Sequence, residues 1–373
     1  MLDGLLGARL ALLAGATVPL PVGPEAMRAF SQAEVVLDAD GEDGFQLTFT
    51  LAKGPLLDYT LLQSGPFAPF NRVIVAVVFG VAPEVLIDGV VTHHEVVPSS
   101  EPGQSTLRVK GKSVVQMMDL KEKSESYPNQ PDWLVVTQIL ASYAQVGLVP
   151  AVTPTTDVPI EVERITRQAE TDLAFVRRLA QRNGYVFYVE PTPVPGVNTA
   201  YWGPETRLGL PQRALTVDMG DATNVTSLQF TADALAPVGT ESVVVEPFLK
   251  LSIPIPSLPS LKVPPLAASP LPARRTQILR ETASQNPAEA MTSAVAATTR
   301  APDPVTGTGE LDAARYGGAL RARRLVGVRG AGLSYDGFYY VRRVSHTVTP
   351  GTYRQSFRIS REGTGTLTPF VVP

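Results

Sequence analysis

The sequence predicts a mainly β protein of the α+β class, with two related antiparallel β-barrel domains and a small α/β domain inserted between them. Three observations predict it. Strict apolar–polar alternation occurs at Phe45–Leu51 and again at Tyr353–Ser360. Residues 130–190 instead carry two apolar stripes at helical spacing. The two β blocks also share a loose spacing: Ile87-Asp88-Gly89 leads to His93-His94 and a strand at 106–111, and Tyr335-Asp336-Gly337 leads to His346 and a strand at 353–360. If that likeness is a repeat, a ring of three chains presents six similar units.

Residues 1–30 read as an N-terminal extension. The Leu-rich stretch to Val22, with Ala14-Gly15-Ala16, has the outline of a secretion signal, but its first charge is Asp3, Arg9 interrupts it, and Pro19 and Pro21 break it. A chain made and assembled in the cytoplasm is expected. No other segment approaches the roughly 18 consecutive apolar residues of a membrane span.

Residues 31–120 read as the first β domain. Phe45, Leu47, Phe49 and Leu51 share one strand face, and Arg72–Phe79 is a β-branched run suited to a strand covered on both sides. Val85–Ile87 and Val90-Val91 flank Asp88-Gly89, which predicts a tight hairpin there. Thr106–Gly111 alternates again.

Residues 121–200 read as the α/β insertion. Asp132 caps a helix presenting Val136, Ile139, Leu140, Tyr143 and Val146 and ending at Gly147. A second helix, within Glu170–Asn183, aligns Leu173, Val176, Leu179 and Ala180, with Asp172 near its positive start and Asn183-Gly184 at its end. Tyr185–Val189 follows as a strand.

Strands completing the barrels are expected over 201–245, and a Pro-rich strap with a helix over 246–303. From Pro247 to Pro272, prolines alternate with aliphatics, which forbids helix and central strand. The stretch reads as an extended linker or surface strap, or as an arm docking on a partner subunit. Asn286-Pro287-Ala288-Glu289 starts a helix to about Thr299. Residues 304–373 form the second β domain, in which Asp336-Gly337 turns into a strand ending near His346, and Tyr353, Gln355, Phe357 and Ile359 share a face.

Composition narrows the chemistry. The 373 residues include 32 basic and 35 acidic side chains, a net charge of −3, so no global field attracts nucleic acid or membrane. With no cysteine, thiolate metal sites, disulfides and cysteine nucleophiles are excluded. Only three histidines occur, which leaves little for triads or His-rich metal centres.

Individual motifs add no catalyst. Gly111-Lys112-Ser113 ends like a phosphate loop, but Thr106 stands where its first glycine belongs, and Gly327–Gly332 reads as a turn cluster. No G-x-S-x-G elbow occurs. His93 and His94 point to opposite strand faces, and His346 reads as a polar strand residue. The carboxylate pairs Glu161/Glu163, Glu170/Asp172 and Glu310/Asp312 read as solvated charges and a helix start. Arg274-Arg275 and Arg321, Arg323 and Arg324 lack interleaved aromatics, and they suit a subunit interface better than nucleic acid.

The segment Gln168-Ala169-Glu170-Thr171-Asp172-Leu173-Ala174-Phe175, followed by Arg178-Leu179-Ala180 and Gly184-Tyr185, resembles one in phage late-control D proteins and in the hub portion of VgrG proteins. Val305–Asp312, the Tyr335-Asp336-Gly337 to His346 stretch and Gly351-Thr352-Tyr353 to Arg361 resemble the C-terminal barrel of that family. The resemblance covers most of residues 30–365 in order, and it is closest to hub proteins of contractile injection systems. Its motif positions, read as structural, are Asp88, Gly89, Gln168, Glu170, Asp172, Phe175, Leu179, Gly184, Gly307, Gly309, Glu310, Asp336, Gly337, His346 and Tyr353.

What the resemblance implies is a hub-type fold with tube-like barrels and a non-enzymatic role as a baseplate hub. A homotrimer would match a hexameric inner tube protein on one side and a trimeric spike on the other. Since the chain stops soon after the second barrel, the spike, of OB-fold and β-helix type, is expected to be a separate protein. Other baseplate subunits are further expected partners; nucleic acid, membrane, metal and cofactors are not. Assembly would end in a phage tail-like particle, either a virion baseplate or an injection system of the kind released from cells. The competing readings are a tail-borne cell-wall hydrolase and a free-standing β-rich binding module. A hub ring would be joined through barrel edges, because open strands need partners.

Overall fold

In the computed structural model, residues 9–53, 58–63, 65–79, 82–101, 103–155, 165–245, 252–255, 260–279 and 287–368 are described. The first β block holds β1 (Arg9–Gly15), β2 (Leu20–Pro21), α1 (Pro24–Ala29), β3 (Phe30–Asp38), β4 (Gly44–Thr50), α2 (Thr60–Gln63), β5 (Arg72–Phe79), β6 (Ala82–Val97) and β7 (Thr106–Ser113). The insertion holds β8 (Glu122–Tyr127), α3 (Asp132–Ala141), β9 (Leu148–Val152), β10 (Thr166–Thr171), α4 (Asp172–Arg182), β11 (Val186–Pro191) and β12 (Asn198–Gly203). Next come β13 (Gln212–Thr216), β14 (Val225–Ala232), β15 (Val238–Val245), β16 (Ser252–Ile255), β17 (Ala267–Pro270), β18 (Arg275–Leu279) and α5 (Pro287–Arg300). The chain continues with β19 (Val305–Asp312), α6 (Ala313–Tyr316), β20 (Leu325–Arg329), β21 (Gly337–Thr349), β22 (Thr352–Arg361) and β23 (Gly363–Thr366). None of the described helices is long and apolar enough to cross a membrane.

Both β blocks enter one sheet, ordered β14-β19-β22-β21-β3-β4-β7-β6-β5-β1-β2, with β20 beside β21 and β13 beside β20. Within it the chain repeats itself. Reading each block from its first strand, β3-β4-β7-β6-β5 and β14-β19-β22-β21-β20 visit their strands in the same order. The registers agree too. Phe45 opposite Gly111 corresponds to Gly307 opposite Ile359, and Val73 opposite Gly89 corresponds to Val326 opposite Tyr339.

The irregularities coincide as well. A bulge interrupts β3 at Ser31 and β14 at Thr226, and another interrupts β6 at Thr92 and β21 at Arg342. Phe70 and Arg323 both take a positive φ, 63° and 65°, and each donates its N–H to the corresponding carbonyl, Val91 O and Val341 O, at 2.8 Å. The expected repeat is therefore present, although the two Asp-Gly pairs that suggested it sit two residues out of register.

Two expectations change. Asp88-Gly89 is no hairpin: β6 runs straight through it. A side chain at Gly89 would lie 2.3 Å from the Lys112 carbonyl and 2.9 Å from the Phe45 ring, so this glycine serves close packing rather than a turn. Nor do the described residues form a closed barrel. Instead of returning to its own block, β21 gives the second half of one edge to β3, from Arg343 opposite Asp38 to Val348 opposite Ala33, and so joins the two arcs.

One apolar face of this sheet forms the main core, where Leu47, Phe49, Val75, Val109, Val328, Tyr339 and Ile359 are buried. β5 is covered on both faces as expected: Val73, Val75 and Val77 face that core, and Ile74 and Ala76 pack with Val85 against Ala11 and Leu13. Each such aliphatic contributes roughly 2 kcal/mol. Cross-strand volumes are exchanged between the blocks. Phe45 fills the space over Gly111, whereas Ile359 fills the space over Gly307.

At Gly309 an added Cβ would lie 2.3 Å from the Ser227 carbonyl and 2.7 Å from the Phe357 ring. Gly309→Ala is accordingly expected to cost about 1–3 kcal/mol through forced separation of β14 from β19. The chemical-unfolding midpoint measures this, and a parent-like midpoint would show that the pairing tolerates the methyl group.

The insertion has its own core, in which Val136, Ile139, Leu140, Phe175, Val176, Leu179 and Trp202 are buried. Its helices match the two stripes, with corrections at the caps. Asp132 is the first residue of α3 and makes no cap; it accepts hydrogen bonds from Arg182 and from Asn183 Nδ2 (2.7 Å), pinning the end of α4. α3 stops at Ala141, and a short 3₁₀ turn reaches Gly147, whose φ of 81° ends it. The start of α4 is capped by Thr171, whose hydroxyl accepts from Ala174 N.

In the Pro-rich stretch, Ser252–Ile255 and Ala267–Pro270 are extended and pair as β16 with β15 and β17 with β23, while the chain bends between them, where Val263 N donates to Leu261 O at 2.9 Å. α5 begins at Pro287 as expected; Asn286 lies outside the described residues. α5 packs on the insertion at Gly184, so closely that a side chain there would lie 2.9 Å from Ala296 Cα.

Candidate functional site

The motif positions do not converge on one cleft; they fall at separate structural joints. The first lies inside the insertion. Asp172 is fully buried at the start of α4, where it accepts hydrogen bonds from Lys123 Nζ (2.7 Å), Tyr143 Oη (2.7 Å) and Gln168 Nε2 (2.8 Å). Burial opposes its charge, but those three donors outweigh burial and hold the carboxyl below the usual range. Reading Asp172 as a solvated charge is thus corrected: a side chain with three donors ties β8, β10 and the turn after α3 to α4. Phe175 and Leu179 fill the core beneath it, and Glu170 pairs on the surface with Arg178 at 2.6 Å.

Asp88 makes the second joint. Its carboxylate takes Arg72 Nε at 2.7 Å and Nη2 at 2.6 Å, and Asn198 Nδ2 at 2.9 Å, while Arg72 also donates to Gly196 O at 2.9 Å. This bidentate pair fastens the first β block to the insertion. Arg321, Arg323 and Arg324 also pair within the chain. Arg323 donates to Asp43 (2.8 Å) and to Asp38 O, Arg324 reaches Glu190 at 2.7 Å, and Arg321 lies 3.8 Å from Glu84. They bind one part of the chain to another, with Arg321 and Arg323 largely buried and the Arg324 side chain 53% exposed.

In the second block, Asp336 Oδ1 accepts from Ala331 N (2.8 Å), and Gly337, with φ 121°, admits Arg361 Nη1, which donates to Asp336 O at 2.9 Å. His346 lies on strand β21, as read. It is fully buried, its Nδ1 is 2.8 Å from Tyr353 Oη, and its Nε2 has no partner among the described residues. Glu310 is exposed, and Asp312 caps α6 by accepting from Ala314 N and Arg315 N. Glu161 and Glu163 lie outside the described residues.

Sequence reasoning missed the most heavily charged joint. Arg207, with a side chain 0% exposed, reaches Asp303 at 2.8 Å, Glu362 at 2.7 Å and Glu205 at 3.2 Å. Arg342, turned inward at its bulge, reaches Glu205 at 2.6 Å and Asp303 at 2.9 Å. Lys262 of the strap joins through Asp303 at 3.3 Å, and Glu362 accepts Ala267 N at 2.7 Å. A cleft of about 430 Å³ opens beside them, lined by Asp40, Tyr185 and Arg358 among others. The one available signal was Asp303 itself, held between Pro302 and Pro304.

What remains for function is surface. Opposite the main core, the sheet carries Gln229, Thr308, Glu310, Arg354, Arg358, Arg343, Glu34, Gln46, Arg108 and Lys110, a hydrophilic face of mixed charge. Ion pairs Arg343–Asp38 (3.3 Å) and Lys112–Glu42 (2.7 Å) cross it, and β14, β19 and β22 enclose a polar groove of about 420 Å³ there. No described group of three or more His, Asp or Glu side chains could hold a metal ion. Among the described residues, β14 and the part of β6 beyond Val91 also each leave one sheet edge unpaired.

No family model matches the sequence, and no curated sequence matches it. Solved structures do match the fold. A tail protein from Neisseria meningitidis MC58 aligns over 96% of this chain and 98% of its own, with a TM-score of 0.62 at 13% identity. The 43 kDa tail protein of prophage MuSo2 from Shewanella oneidensis aligns over 95% and 99%, with a TM-score of 0.61 at 13% identity. An Escherichia coli protein described as a type VI secretion component structurally similar to bacteriophage T4 tail proteins aligns over 92% and 77%, with a TM-score of 0.55 at 14% identity. The chain has the fold of these tail and secretion-system proteins along nearly its whole length.

Proposed function

We propose that this chain is the baseplate hub of a phage tail-like contractile particle, a homotrimer that adapts the sixfold inner tube to a threefold spike. The observation that supports it most is the internal duplication, in which two blocks share strand order, register and bulge positions within one chain. Three copies then supply six near-equivalent arcs, and each insertion occurs once per chain, giving three further contacts. The likeness to tail proteins supports the same reading. Each arc is one sixth of a ring wall, and its hydrophilic face suits a wetted channel because it offers little apolar surface for cargo to adhere to. The role involves positioning rather than bond-making.

The test is the native mass and subunit content of the complex retrieved by an affinity tag on this chain from producing cells. Three copies together with tube and spike subunits are expected. A lone monomer in cells that assemble particles overturns the proposal.

A further inference from the structure

We infer that β6 of one copy pairs antiparallel with β14 of the next copy, in a register that the chain already contains. This rests on the ring reading above and names the edges that form it. β21, the counterpart of β6, uses its edge beyond the bulge to hold β3, the counterpart of β14. In β6 the same edge, Thr92–Val97, has no strand on it among the described residues, and β14 pairs only with β19. Among the described residues each copy therefore has one unpaired edge of each kind, and an edge already satisfied within the chain is the template for the missing contact.

Transferring the register from the joined pair fixes the partners. Arg343 opposite Asp38 becomes His93 opposite Asp233 of the second copy, which keeps a basic group facing an acidic one where the template has a 3.3 Å ion pair. His346 opposite Val35 becomes Val96 opposite Phe230. Val96 and Val97 are 36% and 41% exposed in the single chain, and the pairing removes that apolar surface from water. Glu95 then faces Thr231, and His94 faces Ala232. Because the contact is head-to-tail, it repeats and closes a ring instead of stopping at a dimer.

The cysteine-free sequence permits a direct test. Two double variants of the full chain, Glu95→Cys/Thr231→Cys and His94→Cys/Ala232→Cys, place cysteines at adjacent paired positions, so one pair takes the closer cross-strand spacing. Within one chain β6 and β14 are seven strand steps apart, about 34 Å, far beyond disulfide reach. Any bond therefore joins copies. Oxidation of the complex retrieved from producing cells is expected to give a covalent ladder ending at the trimer with at least one pair, and none with the four single variants. An oligomer of parent mass that neither pair cross-links overturns the edge pairing while leaving the ring reading standing. A monomer by native mass overturns both.

Discussion

Asp303→Asn is expected to lower stability by about 3–5 kcal/mol, an unfolding-midpoint drop on the order of 10 °C, because it leaves buried cations without their shared counter-charge. The Asp303 side chain is 3% exposed and accepts from Arg207, Arg342, Lys262 and the Ser360 hydroxyl (2.7 Å). Asparagine keeps the shape but removes the charge and two acceptor sites. Burial by itself would push the Asp303 carboxyl up; Lys262, Arg207 and Arg342 outweigh burial and hold it well below the usual carboxylate range.

The sign of its pH dependence follows. A carboxyl depressed on folding contributes stability that is complete above its unfolded value near 4 and is lost as pH falls through the folded value. The gap between parent and Asp303→Asn should therefore be widest near neutrality and shrink below about pH 4. Adding Lys262→Met should recover part of the loss, since Lys262 is itself held below the usual lysine range by burial that Asp303 only partly offsets. Equal unfolding midpoints for parent and single variant would show that the strap and the second block do not depend on this joint.

How much of this architecture the sequence discloses depends on which physical signal each part uses. Strands half-exposed to water announce themselves: β4 and β22 alternate in the sequence and alternate in burial. Helices α3 and α4 were equally plain. What failed was the inference from Asp-Gly to a turn, because at residue 89 the glycine is required by the approach of the Lys112 carbonyl and the Phe45 ring, not by a positive φ.

The repeat was legible only in outline, for a related reason. By register Asp88 corresponds to Phe338, and Asp336 to Leu86, so the shared letters mark no shared position. The real correspondences pair unlike residues: where one block has Phe45 over Gly111, the other has Gly307 beneath Ile359, and the volume is conserved across two strands while neither strand conserves it alone. Backbone register and bulges survive such exchanges, and composition does not. The charged joints were illegible because Glu205, Arg207, Asp303, Arg342 and Glu362 meet only through the tertiary fold.

His346 tests the same interior by titration. It is fully buried beside Tyr353, and burial first, then the nearby Arg321 cation, lowers its pKa to about 3. An imidazole kept neutral in the fold but free to charge near pH 6.5 when unfolded makes the unfolded state bind the extra proton between those two values. Its contribution is complete above about pH 6.5 and declines steadily as the pH falls toward 3, by a total on the order of 5 kcal/mol. His346→Phe removes the titrating group and, by leaving the Tyr353 hydroxyl without its ring-nitrogen partner, costs about 1–3 kcal/mol at pH 7.5. The two stability curves should therefore converge on acidification and cross above about pH 4, the variant losing less per pH unit than the parent between pH 6.5 and 4, while the carboxylates common to both proteins shift the two curves alike. Parallel curves across that interval would mean that the imidazole is protonated inside the fold, and that the core around β21 and β22 admits water.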